Sequence, residues 1–292
     1  MITRLRSAAG DYLALTKPRI VALLLITGFC AMVVARDGLP PVWTTLATLL
    51  GLALSSGGAN AVNMWYDRDI DRIMTRTRGR PIPSGRLAPE AALRFGILAG
   101  LTGVVLLVAA AGWLAAAMAA AGFVYYVFIY TMWLKRRTPQ NIVIGGGAGA
   151  FPPLVGWAAV TGHIGMAAIL MFLIIFLWTP PHFWSLALYK DEDYRRAGIP
   201  MMPVIHGWRS TKMQSALYAV LLLGASLLLY LTGRVGIWYL ASAAVLGIVF
   251  VAYTLRLLRE QAPHVQWAKR TFHFSLLYLT ALFAAMVFDL RP

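Results

Sequence analysis

Almost every stretch of this 292-residue chain that is not a short loop is an apolar run long enough to cross a bilayer. Nine such runs stand at about 18–36, 42–64, 91–111, 114–134, 141–161, 164–186, 213–232, 236–255 and 271–290. A hydrocarbon core about 30 Å thick takes roughly 20 residues of helix to cross. No water is available there to satisfy backbone polar groups, so spans of this kind must be helical. The fold class expected is therefore all-α: a polytopic membrane protein with nine transmembrane helices. Hydrophobic residues are 60% of the chain and charged residues 13%, which leaves no room for a soluble domain. Residues 1–292 read as a single membrane-embedded domain.

The basic residues orient these spans. All but Arg36, Arg234 and Arg291 of the 26 Lys and Arg residues fall on one set of loops, including Arg4, Arg6 and the run from Arg68 to Arg94. The positive-inside rule puts that side in the cytoplasm, with the N-terminus inside and the C-terminus outside. The net charge of +15 then reflects topology and attraction to anionic membrane lipid. Basic residues scattered over short loops argue against a nucleic-acid partner. The single cysteine, Cys30, lies in the first run, so no intrachain disulfide forms, and no Cys/His metal motif occurs. The N-terminus is too short before the first run for an organelle transit peptide. The inner membrane of a bacterium is the simplest location.

Only eleven acidic residues serve the chain, and six sit in two clusters: Asp67, Asp69 and Asp71, then Asp191, Glu192 and Asp193. Each cluster lies at the cytoplasmic end of an even-numbered span, the second and the sixth. That equivalence suggests two pseudo-repeated four-helix halves plus one helix, with a polar site between the halves. Asn63, Asp67 and Asp71 follow at four-residue steps, which on a helix places them on one face. A solvated helix end would explain alternating charges, but not why Asn63 and Asp67 sit deeper and in phase with Asp71. Asp69 is out of phase and expected to face water or an arginine. A column of like charges at a membrane-helix end makes sense if it binds a cation. A hard divalent ion carrying a diphosphate would suit.

The loop from Arg76 to Arg86 places Arg76, Arg78, Arg80 and Arg86 among turn residues. Arginine matches phosphate oxygens with a planar fork of donors, although positive-inside charge accounts for any one of them equally well. Tyr189 and Asp193 repeat the four-residue step, with Lys190 between. Upstream, the pair Pro180-Pro181 is expected to break the sixth helix, beside His182. That histidine could meet a substrate or an iron centre, or simply bond a neighbouring helix. The glycine-rich start of the fifth run, Gly145 to Gly149, follows no strand and is no P-loop. It serves close helix packing or leaves space for a ligand.

These residues together resemble the UbiA-type membrane prenyltransferases. The resemblance runs nearly the whole chain, through Leu15-Thr16-Lys17-Pro18-Arg19, Asn63 to Asp71, Arg80-Pro81-Ile82, Lys135 to Asn141, Gly149 to Pro153, Thr179 to Trp184 and Asp193 to Met201. The last three blocks resemble the heme-modifying branch. The resemblance implies magnesium on Asn63, Asp67, Asp71 and Asp193, and a catalytic set of Asn63, Asp67, Asp71, Tyr189 and Asp193. It implies substrate contacts from Lys17, Arg78, Arg80, Lys135, Arg137, Asn141, His182 and Lys190. The substrates implied are farnesyl diphosphate and heme b, and the reaction is metal-assisted ionisation followed by attack from a heme vinyl carbon and capture of water, giving heme O. Partners that take the product onward would be the downstream heme-modifying enzyme or the oxidase assembly machinery. The chain departs from many family members in having Tyr189 where they have Asp. Prenylation of a phenolic acceptor in quinone synthesis needs the same diphosphate site, and a transporter could use paired halves, though it has little need of an aspartate column.

Overall fold

The computed structural model describes residues Ile2 to Arg291, with side chains from Ala8 onward. Arg4 and Arg6, counted above among the inward basic residues, lie outside the described side chains. Among the described residues nine helices are long and apolar enough to cross a membrane: Pro18–Arg36, Val42–Tyr66, Pro89–Ala111, Trp113–Leu134, Asn141–Thr161, Met166–Tyr189, Met202–Thr232, Ile237–Arg259 and Gln266–Phe288. This is a multi-pass membrane protein. Among the described residues the only β-pairing is an isolated bridge between Val235 and Leu290.

Three short helices accompany the spans: Ile2–Leu15, Arg68–Ile73 and Asp191–Arg196. The last two follow closely on the ends of spans 2 and 6, at Tyr66 and Tyr189. The seventh span also begins eleven residues earlier than its apolar run. Its extension, Met202 to Lys212, is interrupted at Gly207, whose φ of 75° no other residue type adopts readily.

Spans 1 to 4 pack in chain order, and span 5 closes against spans 1 and 4. Spans 6 to 9 form a second closed group, with span 9 returning to span 6 and touching span 1. Lipid is as apolar as a leucine side chain, so small residues and close packing hold such helices together. Spans 2 and 3 show this best: a Cβ on Gly58 would stand 2.5 Å from the Gly96 carbonyl oxygen. Gly145 is used the same way, since a Cβ there would meet the Tyr130 ring at 2.1 Å. Within the glycine run of span 5, Gly145 and Gly147 thus pack on span 4 and Gly146 packs on Thr179 of span 6.

The Pro180-Pro181 pair does not end the sixth helix, which runs unbroken from Met166 to Tyr189. Hydroxyls beside it supply local bonds, Thr179 to the Ile175 carbonyl at 2.8 Å and Ser185 to the Pro181 carbonyl at 2.7 Å. At the loop-rich end of the bundle, Ile70, Met74, Ile142, Trp184, Ile199 and Met202 form a buried cluster. Outside the bilayer the hydrophobic effect does apply, and exposing one such side chain costs roughly 1.5–3 kcal/mol. This cluster folds the Arg68–Ile73 and Asp191–Arg196 helices onto the ends of spans 5 and 6, and so holds the acidic segments together.

Candidate active site

The second span ends at Tyr66, yet its hydrogen-bond ladder continues. The Asp67 amide donates to the Asn63 carbonyl and the Asp71 amide to the Asp67 carbonyl, each at 2.9 Å. The four-residue column thus survives the change from the long helix to the short one. Asn63, Asp67 and Asp71 are all buried, Asp67 completely.

Every member of the column meets a partner from another element. Asn63 donates from Nδ2 to Asp67 Oδ2 at 2.8 Å and to Thr131 Oγ at 3.0 Å, and accepts from Lys17 Nζ at 2.7 Å. Lys135 pairs with Asp67 Oδ2. Arg80 pairs with Asp71 at 2.6 Å. Asp69, out of phase, is exposed and takes a two-pronged contact from Arg136 at 2.7 Å on each oxygen. Those bonds hold its carboxyl below the ordinary aspartate range.

Lys17 reaches the column because the chain turns sharply before Pro18. Its φ of 54° is left-handed, a conformation non-glycine residues rarely adopt, and such strain concentrates at functional sites. Burial, reinforced by the Arg80 and Lys135 charges, pushes its ammonium well below the ordinary lysine range.

The second cluster is joined to the first by Thr75, whose hydroxyl donates to Asp193 at 2.6 Å. Arg196 holds the other Asp193 oxygen at 2.5 Å. Four carboxylates (Asp67, Asp69, Asp71, Asp193) are thus matched with four cations, Arg80, Lys135, Arg136 and Arg196, while Lys17 stands on Asn63. A diphosphate would draw off the cations while a metal ion takes the carboxylates.

The donor set fits magnesium. Its atoms are hard carboxylate and amide oxygens, and Asp67 Oδ1 is a buried acceptor with no hydrogen bond, the nearest cation being Arg136 at 3.6 Å. Among the described residues no three carboxylates, imidazoles or thiols converge closely enough to hold an ion alone. That is the magnesium habit: one or two carboxylates, with substrate phosphates completing the shell.

A model of the UbiA prenyltransferase family matches residues 24–277. The chain belongs to the UbiA prenyltransferase family. It is 60% identical to a protoheme IX farnesyltransferase of Symbiobacterium thermophilum, over 96% of this chain and 93% of that protein. It is 50% identical to the protoheme IX farnesyltransferase of Acidiphilium cryptum, over 98% and 92%. Among solved structures, the fold matches a digeranylgeranylglyceryl phosphate synthase with a TM-score of 0.80 at 22% identity, covering 96% of this chain and 98% of that one. It also matches a UbiA homologue from Archaeoglobus fulgidus bound to GPP and Mg2+, TM-score 0.68 at 18% identity, covering 94% and 99%.

Within this UbiA fold, several residues expected at the site stand elsewhere. Arg78 and Arg137 are exposed and make no ion pair among the described residues. Arg136, one residue earlier, reaches the acidic column instead. Asn141 is buried but ties Thr138 to Pro200, donating to both carbonyls, so it braces two loops. Tyr189 packs its ring edge-on against Phe272, at 5.9 Å between centroids, and its hydroxyl bonds no described residue. Asp193 is held by Thr75 and Arg196, with no bond from Tyr189. Asp193 correspondingly has both oxygens engaged away from the Asn63 column. Lys190 lies over the Tyr189 ring without an acidic partner.

His182 sits apart from the acidic column, two turns inside the sixth span. Its ring stacks between Trp178 at 4.2 Å and Phe272 at 4.7 Å. Nδ1 lies 2.6 Å from Ser275 Oγ, whose own proton goes to the Phe272 carbonyl at 2.6 Å. A hydroxyl has one proton, so His182 Nδ1–H is the donor and Nε2 keeps its lone pair. A cavity of about 600 Å³ lined by Trp157, His163 and Arg234 opens at the opposite end of the bundle and shares no residue with the acidic site.

Proposed function

We infer that this chain transfers the farnesyl group of farnesyl diphosphate to a vinyl group of heme b, with addition of water, giving heme O and diphosphate. The observation that carries this reading is the paired acid–base cluster at one end of the bundle, in a chain 60% identical to a protoheme IX farnesyltransferase over almost its full length. The domain is 1–292, a single unit in a bacterial inner membrane, with the N-terminus and the acidic loops in the cytoplasm and the C-terminus outside.

Asn63, Asp67 and Asp71 would hold magnesium, with Asp193 at the margin of the site. When bound, the ion withdraws charge from the diphosphate and eases its departure. Lys17, Arg80, Lys135 and Arg136 are placed to take the diphosphate oxygens, so fixed positive charge stands where negative charge develops. The bond from the farnesyl C1 to oxygen breaks, and the terminal vinyl carbon of heme supplies the electron pair for the new bond. The resulting cation lies next to the porphyrin, and water adds to it as a hydroxyl, its proton going to the diphosphate. His182, its Nε2 lone pair free, faces the acceptor side.

Purified protein incubated with magnesium, farnesyl diphosphate and either heme b or a phenolic acceptor tests this. Diphosphate release stimulated by heme b and not by the phenol is expected. Release with the phenol alone would move the reading to quinone synthesis, and no release with either would exclude prenyl transfer.

A further inference from the structure

Two side chains at the end of the fourth span reach the acidic column, and a third reaches Lys17 beside it. The Tyr126 hydroxyl accepts from Lys17 at 3.2 Å, Thr131 accepts from Asn63 at 3.0 Å, and Lys135 pairs with Asp67. On an α-helix, at about 100° per residue, the nine steps from Tyr126 to Lys135 would leave them on opposite sides, about 180° apart. The fourth span avoids this because Tyr125–Leu134 is a π-helix. Each of its turns takes in one extra residue, a rare geometry that clusters at functional sites. The Lys135 amide donates to the Tyr130 carbonyl at 2.9 Å, carrying the five-residue step to the end of the segment. The widened turn brings Tyr126, Thr131 and Lys135 to one side.

Thr131, at the centre of this segment, is completely buried. Its hydroxyl donates to the Tyr126 carbonyl at 2.8 Å, again five residues back. With its single proton committed, Oγ can only accept, and it does so from Asn63 Nδ2. The Asn63 amide has two other partners, Lys17 and Asp67. Both are charged, and both would be pulled away by a diphosphate and its cation. Thr131 is neutral and tied to its own backbone, so it is the partner that stays.

We propose that Thr131 is a positioning residue, presented by the π-helical turn, that keeps the Asn63 carboxamide nitrogen turned into the fourth span and its oxygen turned toward the divalent cation and diphosphate. The proposal rests on the prenyl-diphosphate reading above. The widened turn adds Tyr126 to the side that Thr131 and Lys135, four residues apart, already share.

Manganese binding read by electron paramagnetic resonance, in purified protein with farnesyl diphosphate present, tests this without turnover. Loss of an outer partner of a metal ligand costs about 10–100-fold in affinity, so Thr131→Val should raise the half-saturating manganese concentration by at least about tenfold. Thr131→Ser keeps the hydroxyl and should stay within about threefold of the parent protein. On an Asn63→Ala background Thr131→Val should add nothing, because the two act as one unit. Should Thr131→Val not fold, Thr131→Ala replaces it with the same expectation. An unchanged manganese curve for Thr131→Val, or a full additional loss on the Asn63→Ala background, overturns the proposal. Parent protein that binds no manganese with farnesyl diphosphate brings down the functional reading along with it.

Discussion

Asp67 and Asp69 differ by two positions and stand in opposite environments, which makes them a sharp test of the acidic column. Asp67 is fully buried and joins Lys135, Arg136 and Asn63, whereas the Asp69 side chain is 60% exposed and holds only Arg136. Replacing Asp67 by Asn keeps the shape but leaves the Lys135 charge without its counter-charge in a buried site. Breaking a buried pair in this way costs about 3–5 kcal/mol. The Lys135 side chain is 17% exposed, which places the cost toward the lower end. If that loss falls on diphosphate and metal binding, the rate drops by roughly two orders of magnitude or more, at about 1.4 kcal/mol per factor of ten. Replacing Asp69 by Asn removes an exposed ion pair worth about 0.2–1 kcal/mol, a change of at most about fivefold. Diphosphate release from farnesyl diphosphate and heme b should be measured for both variants in detergent, with melting curves to show that each is folded. Equal losses at the two positions, in folded protein, would refute the assignment of a buried cation site to the column.

Four further outcomes follow from the geometry. Ser275→Ala removes the acceptor of His182 Nδ1–H and should alter the absorption spectrum and affinity of bound heme b, with farnesyl diphosphate affinity unchanged; the reverse pattern would place His182 on the diphosphate side. Tyr189→Phe should leave the magnesium dependence of the rate unmoved, since the hydroxyl has no partner among the described residues, whereas Asp193→Asn should raise the magnesium needed for half-maximal rate; equal shifts would make Tyr189 part of the metal site. Thr75→Val should reproduce a part of the Asp193→Asn defect, because it unfastens one of the two groups that hold Asp193. Burial works to raise the Asp193 carboxyl, but the Thr75 and Arg196 hydrogen bonds outweigh it and hold the group below the ordinary aspartate range. A depressed folded value stabilises the protein above the unfolded pKa and is lost as pH falls through the folded one, so the melting temperature of Asp193→Asn should converge on that of the parent only in that acidic window.

The nine spans were legible because bilayer thickness fixes helix length, and hydropathy records it directly. The Asn63-Asp67-Asp71 column was legible because the four-residue step survives the junction between two helices. Arg137 was expected from the family resemblance alone, and the structure brings Arg136, one residue earlier, to Asp69 and within 3.6 Å of Asp67. No local signal in the Tyr125 to Leu134 sequence marks the π-helix there, whose Tyr130 and Tyr125 rings lie where side chains on Gly145 and Gly147 would stand. Thr75 was invisible for another reason. Its target, Asp193, lies 118 residues away, and only the folding of two loops onto the same apolar cluster brings them together. Arg196 is local, three residues from Asp193 on the same short helix, and that spacing was open to reading. The proline pair read as a break, yet neighbouring hydroxyls let the sixth helix continue.

The central claim is that the acidic cluster at one end of this bundle joins farnesyl to heme. Mass analysis of hemes extracted from membranes after expression of the chain, beside the Asp67→Asn variant, tests it most directly. Membranes carrying the parent protein should yield a hydroxyethylfarnesyl heme, and those carrying the variant unmodified heme b alone. Heme b alone in both, with the parent protein folded and farnesyl diphosphate present, would contradict it.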